Sequence, residues 1–439
     1  MTDAAATQAA RATDIETVAN RGRWLGIAVW PLAVLVVACL PVVFTSGTAL
    51  TMMSLMSILI VFALAYNMLL GQTGLLSFGH AVYYGLGAFM TVHMMNAIIA
   101  AKIKVPLPLL PLVGAFGGLG FAILFGWLST RRAGTVFAMI SLGLAELVAS
   151  SSLILRTFFG GEEGVSTNRT KIGSLFGYNF GSQIEMYYLI AGWSLIAVAA
   201  MYWITLTPLG RMCNAVRDNP QRAEFVGYNP RIVRYLAFCL SGFFAGLAGA
   251  LAAINFELAN ASFVGLHQSG SVLLASYIGG VGTFIGPILG AIVVSYLQTM
   301  LSDVTEVWQL YFGLMFVAVV MYLPGGLAGV LLSHLAAVRA GAAHWLLPSY
   351  AVMALPAAAV IAGTIMLIEM IAHVSLKSSD GPAMKVLYQS ISTAEPVWWA
   401  VAVGLVVIGG VCCALASRLT SAAWAKVTAR AAECGVVIA

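Results

Sequence analysis

Apolar runs of about twenty residues, each closed by a short polar break, recur along the whole chain, and about 20 such residues make a membrane-crossing helix. The runs are Trp24–Phe44, Leu50–Leu70, Leu75–Ile99, Leu107–Leu128, Thr135–Leu155, Met186–Leu206, Val233–Ile254, Ser269–Met300, Val307–Leu323, Trp345–Ile371 and Val397–Ala416. They predict an all-α polytopic membrane protein with about 11 membrane segments. Ser269–Met300 is long for one span and is interrupted by Gly279, Gly280, Gly282, Gly286 and Pro287. It reads as a glycine-broken helical hairpin, two arms meeting at unwound backbone. Such backbone is tolerated at membrane depth where protein or a water-filled cavity surrounds it, and often flanks a transport path. A glycine-kinked pair packed tightly against its neighbours is the alternative.

Polar residues inside these runs are the candidates for chemistry. Leu70–Phe89 carries Gly71, Gly74, Gly79, Gly85 and Gly87, small residues that let helices approach closely. Gln72, Ser77 and His80 lie among them, and Asn67 sits one turn before Gly71. Glu146 is the one acid well inside a span. Polar groups within spans face the bundle interior or an aqueous cavity, so Asn67, Gln72, Ser77, His80 and Glu146 are candidates for a translocation path. The bland alternatives are an interior, hydrogen-bonded His80 and a protonated Glu146 bonded to a neighbour. Glu369 lies near the end of its run, where it can reach water. The polar stretch Arg156–Met186, with GGEEG (Gly160–Gly164) and STNRT (Ser166–Thr170), is large enough to meet a partner.

Between two of the runs lies Leu209–Arg234, the longest clearly polar segment of the interior. It holds Arg211, Arg217, Arg222, Arg231 and Arg234 against Asp218 and Glu224. Asn219 is a good N-cap, Pro220 suits the first helical position and Gly227 is a natural stop, which predicts a two-turn helix over Pro220–Val226. Two turns alone in water do not persist. The segment reads either as a basic loop that orients the protein or as a helix built to dock into something else.

Composition and charge extend this picture. The chain has 439 residues, 61% of them hydrophobic and 8% charged, with a mean hydropathy of +0.96. A soluble domain carries about 25% charged residues, so a soluble fold is excluded. The net charge of +5 is scattered over loops and is no nucleic-acid footprint. With the N-terminus inside, alternation puts fourteen of the 21 lysines and arginines on the cytoplasmic side, Leu209–Arg234 included. Both termini are then cytoplasmic, and the first run reads as a retained span rather than a removed signal. The six cysteines form no disulfide framework or metal spacing. No P-loop, HExxH or GxSxG pattern occurs, so the chain is expected to be neither an enzyme nor a cofactor binder; an ATP-driven mechanism would need its ATPase on another polypeptide.

The stretch Asn67-Met68-Leu69-Leu70-Gly71-Gln72-Thr73-Gly74-Leu75-Leu76-Ser77-Phe78-Gly79-His80 closely resembles the N-x-L-x-G-x-x-G-x-x-S-x-G-H pattern of permeases in branched-chain amino-acid ABC importers. GLAGALAA (Gly246–Ala253), GGVGTFIGPILGA (Gly279–Ala291) and YLPGGLAG (Tyr322–Gly329) follow in the expected order. The resemblance covers about Leu50 to Gly329 and is nearest to the M-type subunit. It implies a second homologous permease, two cytoplasmic ATPase subunits that bind the ATP, a periplasmic substrate-binding protein, and a bacterial inner (plasma) membrane with its lipid. Residues 207–234 then resemble the coupling loop, whose pattern is E-A-A-x-x-x-G. Ala223 and Gly227 fit, while Gln221 and Arg222 stand where glutamate and alanine are usual. The resemblance thus implies ATPase coupling through Arg211, Arg217, Asp218, Arg222, Ala223, Glu224 and Gly227.

The expected organisation is a cytoplasmic segment 1–23, a permease core 24–330, and an extension 331–439 with two further spans and a basic tail. The expected function is the transmembrane subunit of a binding-protein-dependent importer for branched-chain amino acids. Urea, short amides and aromatic acids are alternative cargoes. A secondary transporter or channel using Glu146 and His80, or a membrane scaffold recruiting a partner through the extension, are alternatives of another class.

Overall fold

The computed structural model describes residues 30–173, 180–376, 383–386 and 389–434. The expected N-terminal segment 1–23, the start of the first apolar run and Lys377 lie outside them. Sixteen α-helices follow one another in the described residues: α1 (Trp30–Val43), α2 (Gly47–Thr73), α3 (Ala81–Ala101), α4 (Pro111–Ser129), α5 (Thr135–Ile154), α6 (Arg156–Phe159), α7 (Gln183–Leu206), α8 (Pro208–Asp218), α9 (Pro220–Phe225), α10 (Pro230–Phe256), α11 (Leu266–Gly279), α12 (Ile285–Val304), α13 (Trp308–Tyr322), α14 (Gly326–Arg339), α15 (Leu347–Leu376) and α16 (Pro396–Glu433). Among the described residues nine helices are long and apolar enough to cross a membrane. The pair α13 and α14 is apolar enough together but bent by 47°. The bend falls at Leu323-Pro324-Gly325, where proline removes a backbone donor. With α1, these segments agree with the expected polytopic all-α fold of about 11 segments.

The chain divides into two compact units, up to Thr299 and from Met300 onward. In the first, α10 is central and almost wholly enclosed, packed against α2, α3 and α4. Glycines make this possible. A Cβ on Gly249 would lie 1.8 Å from the Tyr84 carbonyl oxygen, and one on Gly246 would lie 2.3 Å from that of Gly114. Backbones therefore touch with no side chain between them, the packing expected where lipid supplies no hydrophobic drive. The faces of α4, α5 and α7 turned away from this core are apolar and exposed, as at Phe116, Leu124, Met139, Leu147, Ile196 and Trp203.

Two ends of this unit are tied by loops. At one, β1 (Val165–Ser166) pairs antiparallel with β2 (Leu258–Ala259), Val165 opposite Ala259. There Arg169, buried, pairs with Glu257 at 3.2 Å and donates to the Asn255 carbonyl at 3.0 Å. A cation thereby closes the C-terminal end of α10. Glu162 and Glu163 stay exposed on the same loop. At the other end lie the C-terminus of α2, the α4–α5 turn and α8–α9. The alternation inferred from charge put the same loops on a common side.

In the second unit α15 and α16 form an antiparallel pair, joined by β3 (Ala383–Val386) and β4 (Gln389–Ser392). Helix α16 has 38 residues, roughly 57 Å at 1.5 Å each, against an apolar bilayer core of about 30 Å. The stretch expected as a basic tail after Ala416 continues that helix through Arg418, Lys426 and Arg430. Near its end Trp424 donates to the Tyr350 hydroxyl at 3.2 Å, which in turn bonds His334 Nε2 at 2.7 Å, linking α14, α15 and α16. Glu369, expected to reach water, is half-buried and accepts from Tyr311 of α13 at 2.9 Å.

Candidate functional site

Three cap-and-proline pairs write the polar loop. Thr207-Pro208, Asn219-Pro220 and Asn229-Pro230 start α8, α9 and α10, each cap oxygen accepting a first-turn N–H. The expected helix over Pro220–Val226 is α9, one residue shorter, with Asn219 Oδ1 accepting from the Arg222 N–H at 3.0 Å. Gly227, at φ +96°, ends it. Its N–H bonds the Glu224 carbonyl, and the Tyr228 N–H bonds that of Ala223. This is a Schellman stop, and its left-handed position is open to glycine at little cost.

Helix α8 was not expected. Its buried face carries Gly210, Cys213 and Val216, which with Ala223, Val233 and Ala237 hold α8, α9 and the start of α10 as one body. Burial pushes the Cys213 thiol up to about 11. The opposite face is polar: Arg211, Asp218, Arg222 and Glu224 are exposed. At the tip Phe225 is 92% exposed and Val226 71%. Neither was a sequence candidate, although an apolar pair directly before the stop glycine of a charged loop was the available signal. Arg217 behaves differently from the other arginines. It pairs with Asp218 at 3.0 Å and turns back to donate Nη1–H to the Gly71 carbonyl, at the end of α2.

That contact leads to two breaks in the chain. The run expected to form one span over Leu75–Ile99 is helical only from Ala81. Gly74, at φ +70°, caps α2 by giving its N–H to the Leu69 and Leu70 carbonyls, and residues 74–80 run non-helical. They are held by the Phe78 N–H on Ser141 Oγ at 3.0 Å and the Ala81 N–H on Ser269 Oγ at 3.0 Å. Gly79 presses on α5, where a Cβ would lie 2.2 Å from the Ser141 carbonyl oxygen. The second break is the expected hairpin turn. It joins α11, 14 residues long, to α12, 20 residues and thus a full-length arm. Gly280 and Gly282 have φ of +114° and +104°, and Gly279 and Gly286 approach each other too closely for a Cβ.

The turns of α2 just before Gly71 touch both breaks. Asn67 Nδ2 donates to the Thr283 carbonyl at 3.2 Å, and Ser276 Oγ lies 3.4 Å from that of Ala63. His80 is fully buried against Phe62, Tyr66 and Tyr83, with Nε2 3.1 Å from Ser241 Oγ. Ser241 itself donates to the Ala65 carbonyl. Asn67, Ser77 and His80 are thus brought together in the interior, and Asn67 Oδ1, Ser77 Oγ and His80 Nδ1 have no hydrogen-bond partner among the described residues. Gln72 is half-buried at the end of α2. Glu146 is apart from them: it is exposed near the middle of α5, turned away from this chain's interior.

The sequence model of a family described as branched-chain amino acid transport system / permease component matches residues 48–324. The chain belongs to this family. The permease is 29% identical to the high-affinity branched-chain amino acid transport system permease protein LivM of Escherichia coli over 321 residues, 67% of this chain and 73% of that one. It is 25% identical to the corresponding permease protein LivH of Salmonella typhimurium, over 61% of this chain and 90% of that one. A ribose import permease protein of Haemophilus influenzae is 23% identical over 49% of this chain and 69% of its own. No solved structure matches. The match ends at residue 324, so α14, α15 and α16 lie beyond it, while both breaks and α8–α9 lie within it.

Proposed function

We propose that this permease is the transmembrane subunit of an ATP-driven, binding-protein-dependent importer that carries branched-chain amino acids. The observation that carries this reading is the tip of α9: Phe225 and Val226, exposed on a capped two-turn helix in an arginine-rich loop. Burying a phenylalanine side chain is worth about 1.5–3 kcal/mol, so such a tip is stabilised by a partner's pocket. The excess of lysine and arginine puts this end in the cytoplasm, and the absence of a P-loop from the sequence makes a separate ATPase the fitting partner. Two ATPases would each engage one permease, and closing on ATP would move α8 and α9 together as the body their shared core makes them.

Glu146 supports the second permease. A charged side chain at the centre of a lipid-facing helix costs about 3 kcal/mol. A homologous subunit laid against α5, enclosing a wet path between the two, removes that cost. At the other end Glu162 and Glu163 offer an acidic face, on a loop braced by the Arg169–Glu257 pair, for the substrate-binding protein. Selectivity then rests with that protein, and the path between the two permeases need only let cargo pass.

The test is reconstitution of the permease pair with its ATPases and binding protein in liposomes, reading uptake of labelled leucine. Uptake that needs ATP and the binding protein, and that isoleucine and valine compete, is expected. Uptake that persists without any ATPase overturns the ATP-driven reading. A binding protein that holds only a sugar, urea or an amide overturns the cargo.

A further inference from the structure

Arg217 reaches across the loop end to the last turn of α2. The last four carbonyls of a helix have no partner within it, and Gly74 closes only those of Leu69 and Leu70. Gly71 keeps its carbonyl for Arg217, whose positive charge also suits the negative end of α2. The contact is fitted on both sides. The Arg217 stem passes the point where a Cβ on Gly74 would sit, with Cγ 3.2 Å away. A Cβ on Gly71 would meet Asn67 Oδ1 at 2.2 Å, so glycine there leaves Asn67 free to reach Thr283. Asp218 takes the Arg217 Nε–H at 3.0 Å and steadies the guanidinium.

Four groups therefore stand in series: Arg217 on α8, the Gly71 carbonyl, Asn67 one turn back, and the Thr283 carbonyl in the break between α11 and α12. The other break begins at Gly74, three residues from Gly71. Non-helical backbone has no ladder of i to i−4 bonds, so these two segments are placed by their contacts with neighbouring helices, and a shift of the end of α2 acts directly on those contacts. The remaining exposed arginines of the loop make no such inward contact in the described residues.

We infer that Arg217 is a positioning residue that carries movement of α8 and α9 to both chain breaks through the last turns of α2. It acts inward, on this chain's own path, and not on the ATPase surface, and this rests on the reading of residues 207–234 as the docking element. A physical link of this kind shifts a two-state equilibrium only if both ends have two arrangements, and the experiment reads both ends.

Arg217→Ala and Arg217→Lys are made in the full importer with its partner subunits, in lipid nanodiscs and liposomes. Spin labels on Gln221 and on Leu76 each report distance to a fixed label on α7, with and without ATP. In Arg217→Ala the Gln221 label is expected to follow ATP as in the parent, while the Leu76 label no longer does, and leucine uptake per ATP hydrolysed falls about tenfold. Arg217→Lys, which keeps a cationic donor, restores most of the Leu76 response. A merely structural arginine would give a misassembled complex or leave both labels responding. If Arg217→Ala fails to assemble, Arg217→Lys and Arg217→Gln, which keeps much of the stem but loses the charge, carry the same pair of readouts. A Leu76 label that follows ATP normally in the variants, with uptake per ATP within about twofold of the parent, overturns the inference. If the parent's own Gln221 label ignores ATP, the docking reading fails instead, and the two failures are told apart.

Discussion

Gly227 and Cys213 fix α9 from two directions, the first as its stop and the second through the core that α8 shares with it. At φ +96° a residue other than glycine is strained by about 1–2 kcal/mol, and proline would also remove the N–H that bonds Glu224. Gly227→Pro is expected to abolish substrate-stimulated ATP hydrolysis by the importer while membrane insertion, read by fractionation, stays normal. Cys213 reports whether α8 is seated. Its thiol is raised from 9.0 to about 11 by burial. The buried neutral thiol therefore stabilises the folded loop fully below pH 9, and that contribution is lost as pH rises through 11. With the other cysteines replaced, maleimide should label Cys213 at neutral pH at least about tenfold more slowly than an exposed thiol, since its thiolate is scarcer and its site is buried. At this scale the caps were legible in the sequence, because Asn219, Pro220 and Gly227 each satisfy a local backbone need. The direction of a side chain was not: Arg217 turning inward and Glu146 turning outward are decided by neighbours far along the chain.

Helices were legible where apolar length alone sets them and were misjudged where backbone conformation interrupts an apolar run. Leu75-Leu76-Ser77-Phe78 is oily enough to read as the start of a span, yet the left-handed Gly74 and the Ser141 hydroxyl keep it out of a helix. Helix α8 was missed although Thr207-Pro208 repeats the punctuation of Asn219-Pro220, and Leu209, Met212, Cys213 and Val216 keep a helical spacing. The glycines of α10 allow a direct test of packing at this scale. A side chain on Gly249 meets the Tyr84 backbone at 1.8 Å, whereas one on Gly192 of α7 meets nothing within 4 Å. Gly249→Ala is expected to destabilise by about 1–3 kcal/mol or more, from overpacking against backbone. Gly192→Ala is expected to be neutral or to stabilise by up to about 1 kcal/mol, from helix propensity. Thermal unfolding in detergent separates the two.

For the whole molecule, the same alternation of apolar runs that puts Leu209–Arg234 inside also puts the break after Leu70 inside, and the Arg217–Gly71 bond joins those two elements. The permease core was legible because its motifs lie where backbones touch or break. The extension 331–439 was legible only as apolar runs: the length of α16 depends on how one helix continues past the polar break after Ala416. What makes the molecule an importer subunit in this account is a single docking point. A photo-reactive phenylalanine analogue at Phe225, activated in membranes that contain all partner subunits, tests it most directly. An adduct with the ATPase subunit, strengthened or weakened by ATP, is the predicted result. An adduct with lipid alone, or none, in an importer that still takes up leucine would contradict it.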